Sequence, residues 1–70
     1  MTYAVVFEQT PNNYSAYVPD LPGCVATRAT RSEVEQRIRE AIVLHLDGLR
    51  QEGEAVPKPA AWTELVEAAP

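Results

Sequence analysis

The sequence predicts a small α+β domain in which an antiparallel sheet packs on one helix. Three short stretches with the alternation typical of strands occupy the first 28 residues, and one amphipathic segment with a helical period follows. Turn-forming residues separate these elements. At 70 residues the chain can build one hydrophobic core but not two. We therefore expect a single domain over residues 1–70, with the element order β-β-β-α-β.

The first two predicted strands form a hairpin. Residues 3–8 alternate between two faces, and residues 14–18 resume this alternation after a turn. The turn contains Pro11, which fixes φ, and two asparagines, which tolerate left-handed backbone geometry. A third, shorter strand is predicted over residues 24–28, where β-favouring residues return.

The helix has a clear predicted start and end. Thr30 and Glu33 have the spacing of a capping box, in which the hydroxyl accepts a free amide of the first turn. Gly53 is a suitable residue to end the helix, and Pro57 prevents its resumption, so we expect it to end near Glu52. One broad stripe should cover the sheet. Its members are Val34, Ile38, Ala41, Ile42, His45, Leu46 and Leu49.

The last apolar segment, residues 62–68, has an ambiguous pattern. Leu65, Val66 and Ala68 are compatible with a final strand at the edge of the sheet. The same residues could equally begin a short helix. We favour the strand, which completes the β-β-β-α-β order.

The loop at residues 19–23 is a candidate contact site. Its two prolines lack backbone donors and Gly23 permits a positive φ, so a regular sheet cannot continue through it. Two prolines also lower the entropy cost of ordering, which favours recognition, although the same residues could simply turn the chain. The candidate partner-binding residues are Tyr17, Pro19, Asp20, Leu21, Pro22 and Gly23.

Charge and hydropathy limit the classes of function. Six basic and ten acidic residues give a net charge of −4, which disfavours a nucleic-acid backbone and suits a basic partner. The longest apolar run, residues 41–44, is far shorter than the roughly 20 residues of a membrane-spanning helix. No basic stretch followed by an apolar run opens the sequence. We expect a cytoplasmic protein that binds neither DNA nor membranes.

The sequence contains no convincing catalytic or metal-binding set. Only Glu8 places a carboxylate on a predicted strand, too few for a metal-dependent nuclease. Cys24 is 21 residues from the only histidine, so we interpret it as a buried small apolar residue. His45 lies in the apolar stripe and is expected to pack or to line an interface. We expect no enzyme activity, no metal and no cofactor.

Self-association is predicted from what the small core lacks. A single cysteine excludes an internal disulfide, and one histidine with one cysteine cannot complete a four-ligand zinc site. Small folds without these supports commonly gain stability by oligomerising. Val43 and Leu44 add apolar surface outside the helical stripe, and Trp62 is an amphipathic anchor. We expect these three residues at a homo-oligomer interface.

Residues 17–24, with the sequence YVPDLPGC, resemble a segment of the N-terminal domain of HicB-type antitoxins. The resemblance continues through the Thr-capped helix at residues 29–41 and the proline-containing exit at residues 53–59. It implies a fold similar to a truncated ribonuclease H domain. It also implies a dimer or tetramer that binds and masks a small, basic, RNA-cleaving toxin of HicA type, without being a nuclease itself.

The sequence departs from many members of that family in one respect. Many carry a C-terminal DNA-binding domain, whereas this sequence stops at Pro70, so direct operator binding is not expected. The resemblance and this departure together leave two candidate functions. The chain is an antitoxin that masks a toxin, or it is an orphan homo-oligomeric binding or scaffold module without one. A small basic reading frame beside this one would favour the antitoxin.

Overall fold

Three strands and one helix make up the regular structure of the computed structural model, which describes residues 1–69. The last residue of the expected domain lies outside this range. The strands are β1 (Val6–Gln9), β2 (Tyr14–Tyr17) and β3 (Val25–Arg28), and the helix α1 spans Arg31–Gln51. The strands form one antiparallel sheet in the order β1-β2-β3. The predicted α+β class, with a small sheet on one helix, is confirmed.

A threonine-centred turn joins β1 to β2. The amide of Thr10 donates to the Asn13 carbonyl at 2.9 Å, and the amide of Asn13 donates to the Thr10 hydroxyl oxygen at 3.0 Å. β1 begins at Val6 and not at Tyr3. The side chains of Tyr3 and Val5 pack against the core, but their backbone does not pair with β2. The predicted hairpin is present, with a shorter first strand.

The core lies between the sheet and the first half of the helix. Ala16 and Ala26 face each other on adjacent strands, and both are buried against Val34 and Ile38 of α1. The small side chains of these alanines leave room for the helix to pack close to the sheet. The remaining buried residues are Val18, Leu21 and Cys24.

The helix boundaries agree with the prediction. Thr30 is the N-cap and accepts the Glu33 amide at 3.3 Å, while its hydroxyl donates to the Glu33 carboxylate at 2.7 Å. The carboxylate thus returns to the Thr30 side chain and not to its backbone amide. At the other end, the amide of Glu52 donates to the Gly48 carbonyl, and Gly53 has a φ of 70°. Along the part of the chain that the structure describes, no helix has both the length and the apolarity needed to cross a membrane.

The predicted fourth strand is wrong. Residues 62–69 form neither strand nor helix, and their side chains are exposed. The connector before them is fixed at one end of the sheet, where the Tyr3 hydroxyl donates to the Pro57 carbonyl. From there the segment leaves the sheet instead of running along an edge. The radius of gyration is 13.8 Å, against about 11 Å for a compact chain of this length.

Candidate functional site

The loop between β2 and β3 is closed by backbone hydrogen bonds. The Val18 amide donates to the Cys24 carbonyl at 3.2 Å, and the Leu21 amide donates to the Val18 carbonyl at 3.0 Å. A third bond runs from the Cys24 amide to the Leu21 carbonyl at 3.0 Å. Gly23 adopts a φ of 85°, a left-handed conformation that glycine reaches at no steric cost. The loop therefore has one ordered shape, as its two prolines indicated.

The loop buries one residue in the core and exposes its prolines and glycine to solvent. Leu21 is fully buried, at 0% exposure, within the core cluster. The expectation that Leu21 is presented to a partner is therefore wrong, because the residue fills the space between sheet and helix. Pro19, Pro22 and Gly23 are exposed, and Tyr17 just before them retains 41% exposure. The loop thus both completes the core and offers a rigid outer surface.

Asp20 connects this loop to a distant part of the chain. Its Oδ2 atom accepts the amides of Ala60 and Ala61, each at 3.0 Å, across 40 and 41 residues of sequence. These two donors, Ala61 first, stabilise the carboxylate and hold the pKa of Asp20 below its usual value. No local pattern in the sequence indicated this partner. Asp20 is therefore a structural anchor whose Oδ2 atom is already engaged.

The anchor sets the starting point of residues 62–69, which we call the arm. Trp62 directly follows the two amides held by Asp20, so the arm leaves the body of the domain beside the loop. Trp62 and Val66 are 78% and 80% exposed, and Leu65 is 105% exposed. Leu65 and Val66 were not among the predicted interface residues. Their place in the last apolar segment of the sequence is the signal that could have identified them.

A row of apolar side chains crosses the sheet on the face opposite the helix. Val6 lies opposite Tyr17, and Tyr17 lies opposite Val25, so all three share one face. Ala16 and Ala26 occupy the other face, against α1. Val25 is 63% exposed and was not a predicted site residue. The predicted contact residue Tyr17 therefore lies in an apolar row next to the loop.

The predicted interface residues on the helix are also exposed. Val43 and Leu44 are 58% and 62% exposed, in the half of α1 that lies beyond its fully buried residues. We call these two residues the helix ridge. Trp62, the third predicted interface residue, lies in the arm. The structure leaves the ridge and the arm uncovered as two separate surfaces.

The groups considered for chemistry lie in structural positions. Cys24 is buried, and burial raises the pKa of its thiol against a smaller opposite effect of the Arg37 guanidinium. The prediction that Cys24 is a packing residue is confirmed. His45 is half-buried in the helical stripe. Residues 1–69 contain no cluster of three or more histidine, cysteine or acidic side chains placed to hold a metal ion.

These features define a small α+β domain with a hydrogen-bonded loop and exposed apolar residues on the sheet, the helix ridge and the arm. The chain belongs to the family described as "HicB_like antitoxin of bacterial toxin-antitoxin system", whose model matches residues 3–70. The resemblance inferred from the loop and the capped helix is confirmed.

Three curated relatives support the membership. A Haemophilus phage HP1 protein, "Uncharacterized 14.9 kDa protein in rep-hol intergenic region", is 36% identical over 58 residues. That match covers 83% of this chain, which spans only 44% of the phage protein. UPF0150 protein Ta0767 of Thermoplasma acidophilum is 32% identical over 87% of this chain and 90% of its own length. A UPF0150 protein of Helicobacter pylori is 41% identical over 70% and 68% of the two chains.

A solved structure shares the fold. A chain of the structure described as "HicA3 and HicB3 toxin-antitoxin complex" superposes with a TM-score of 0.72 at 27% identity. The superposition covers 84% of this chain and 69% of that one.

Proposed function

We propose that this protein is an antitoxin that binds a small basic toxin of HicA type and covers the toxin's working surface. The observation that carries the proposal is the similarity, over 84% of the chain, to a chain solved in a toxin–antitoxin complex. Membership of the antitoxin family supports the same role. In this role the chain contributes contact and steric cover, and performs no catalysis.

The loop and its flanking tyrosine are the proposed toxin-contacting surface. Tyr17, Pro19, Pro22 and Gly23 are exposed on a backbone that is already hydrogen-bonded in one conformation. A preorganised loop loses little conformational entropy on binding, so more of its contact energy appears as affinity. An exposed tyrosine beside such a loop is typical of the aromatic anchors that dominate protein interfaces. Asp20 contributes by holding the loop and the connector together.

Charge supports a basic partner. The chain carries a net charge of −4, which attracts a basic protein and increases its rate of encounter. A single buried thiol without a disulfide partner suits the reducing cytoplasm, and we assign the proposed role to that compartment.

Co-purification tests this proposal. The tagged full chain is isolated from its native cells at moderate salt, and bound proteins are identified by mass spectrometry. We expect a small basic protein in stoichiometric amount from the wild type, and at least tenfold less of it from Tyr17→Ala. Phe7→Ala is the matched control, because Phe7 is an aromatic of similar exposure, 47%, on the opposite face of the sheet. Equal loss from both variants, or no basic partner at all, would contradict the proposed surface.

An orphan homo-oligomeric module is the second candidate. The exposed apolar residues Val43, Leu44 and Trp62 favour it, because monomeric domains rarely leave such surface uncovered. Recovery of the chain alone, as a stable dimer or tetramer, would support this alternative over the antitoxin.

A further inference from the structure

The sheet face opposite the helix carries a single charged side chain among its strand residues. Strand residues that alternate with Ala16 and Ala26 lie on this face, which we call the open face. Its six members are Val6, Glu8, Ser15, Tyr17, Val25 and Thr27. Glu8 is the charged one, so the open face presents one negative charge at a fixed position in the sheet.

The open face has an apolar row beside a polar row. Val6, Tyr17 and Val25 are cross-strand neighbours and form the apolar row. The remaining three residues, which include Glu8, form the polar row. Glu8 pairs with Ser15, two positions before Tyr17 on β2, so Glu8 and Tyr17 are diagonal neighbours. Such neighbours are about 7–8 Å apart, which is within reach of one long side chain.

The Glu8 carboxylate forms no salt bridge within residues 1–69, and the residue is exposed. Acidic groups elsewhere are already engaged. Asp20 accepts two backbone amides, and Glu35 and Asp47 each pair with an arginine of α1. Because Glu8 lies within a paired strand, a partner meets its charge at one defined position.

This arrangement matches the chemistry of a long basic side chain. Lysine and arginine each combine an apolar stem with a charged head. The head can pair with the Glu8 carboxylate while the stem or the cation contacts the face of the Tyr17 ring. Val25, which is 63% exposed, extends the apolar row and can exclude water from the contact.

We propose that the open face binds one lysine or arginine side chain of the basic toxin, with Glu8 as the residue that selects its charge. This inference rests on the proposed function, because it names the feature of the toxin that the surface around Tyr17 recognises. Charge complementarity determines the occupant, since a chain of net charge −4 attracts a cation and a phosphate backbone would be repelled by Glu8. Asp20, the carboxylate of the loop, is held by backbone amides, so Glu8 supplies the charge on this surface.

Isothermal titration calorimetry tests this assignment, with the full chain and the small basic protein recovered with it. Glu8→Gln should raise the Kd about tenfold at low salt, because it removes the charge and keeps the shape. Glu8→Lys should raise the Kd at least about 100-fold, because two cations then meet. The effect of Glu8→Gln should become smaller at high salt, which screens exposed charges.

Glu54→Lys is the matched control for net charge. Glu54 is also exposed and forms no salt bridge among the described residues, but it follows the helix and lies outside the sheet. Its substitution changes the net charge by the same amount as Glu8→Lys. We expect a Kd within about threefold of the wild type, because only the general attraction is weakened. Circular dichroism should show equal helix content in both variants, since both side chains are on the surface.

A double-mutant cycle tests whether Glu8 and Tyr17 hold the same cation. Glu8→Gln combined with Tyr17→Ala should raise the Kd by less than the product of the two single effects, because either change already disrupts the shared contact. A product that agrees within about twofold would show two independent contacts and would contradict the proposal.

The remaining outcomes separate this inference from the proposed function. Wild-type affinity in both Glu8 variants, with Tyr17→Ala still weakened, would overturn the role of Glu8 and leave the toxin-contacting surface in place. Equal losses in Glu8→Lys and Glu54→Lys would show that net charge alone acts. Absence of any basic partner of the wild-type chain would instead overturn the proposed function and this inference together. Self-association of the isolated chain that Glu8→Lys abolishes would assign the open face to a second copy.

Discussion

The loop at residues 19–23 and the arm at residues 62–69 are both non-regular segments with large apolar side chains, yet one is built into the core and the other is exposed. Leu21 is fully buried, whereas Leu65 has no cover at all. The loop is held between β2 and β3 and closed by three backbone hydrogen bonds. Among residues 1–69, the arm is held where Asp20 accepts the amides of the two residues before it. The buried segment is thus the one that paired strands hold on both sides.

The same comparison explains why the arm stays exposed in its own chain. Burying a side chain costs conformational entropy, which is lowest where the backbone is already ordered by its neighbours. The loop has this advantage within its own chain. The arm, which is held at its start by Asp20, lacks this advantage among the described residues.

The largest expected effect contrasts a leucine in each segment. Leu21→Ala should lower the free energy of unfolding by about 2–5 kcal/mol, because it leaves a cavity in the core. Leu65→Ala should change it by less than about 0.5 kcal/mol at concentrations where the chain is monomeric. Urea denaturation followed by circular dichroism measures both values. Equal losses would show that the arm packs on its own domain.

A second pair of variants tests the backbone of the loop. Gly23→Ala should cost about 1–2 kcal/mol, because its φ of 85° is unfavourable for a residue with a β-carbon. Gly48→Ala in the helix should instead stabilise the protein by about 1 kcal/mol, since alanine is the better helix former. Neither new methyl group meets an atom within 4 Å, so the opposite signs come from backbone conformation alone. Thermal unfolding of the two variants provides the measurement, and a shift in the same direction for both would contradict this account.

The smallest effect concerns the connection between loop and arm. Hydrogen bonding lowers the pKa of Asp20 in the folded state, so its stabilising contribution is complete above the unfolded value of about 3.9. That contribution is lost as the pH falls through the lower folded value. The amide resonances of Ala60 and Ala61 in NMR spectra should therefore shift together with a midpoint below about 3.9. Asp20→Asn should remove this transition, and a transition that remained in the variant would assign it to another carboxylate.

Local patterns predicted the elements well and the ends of the chain poorly. The Thr30 cap, the stop near Glu52 and the hairpin could be read from neighbouring residues, because each depends on backbone preferences within a few positions. The start of β1 could not be predicted in this way, because residues 3–5 have a strand pattern but stay unpaired, with Tyr3 and Val5 packed against the core. The prediction of a fourth strand was wrong because pairing with an edge strand of the sheet depends on where the connector leaves the sheet.

The candidate site divides in the same way. The sequence indicated the rigid loop and the excess apolar surface at Val43, Leu44 and Trp62, since proline content and helical periodicity are local properties. The sequence did not indicate that Leu21 is buried in the core. It also did not indicate that Asp20 accepts hydrogen bonds from the amides of Ala60 and Ala61, which are 40 and 41 residues away.

By itself, the sequence determined the α+β class, the bounds of the helix, the family and the acidic charge that suits a basic partner. Only the tertiary structure decided which loop residues reach solvent, where the arm begins and that the fully buried helix residues all lie in the first half of α1. The physical reason is that element formation depends on interactions within a few residues. Burial and anchoring depend instead on segments that are distant in sequence and meet only in the folded chain.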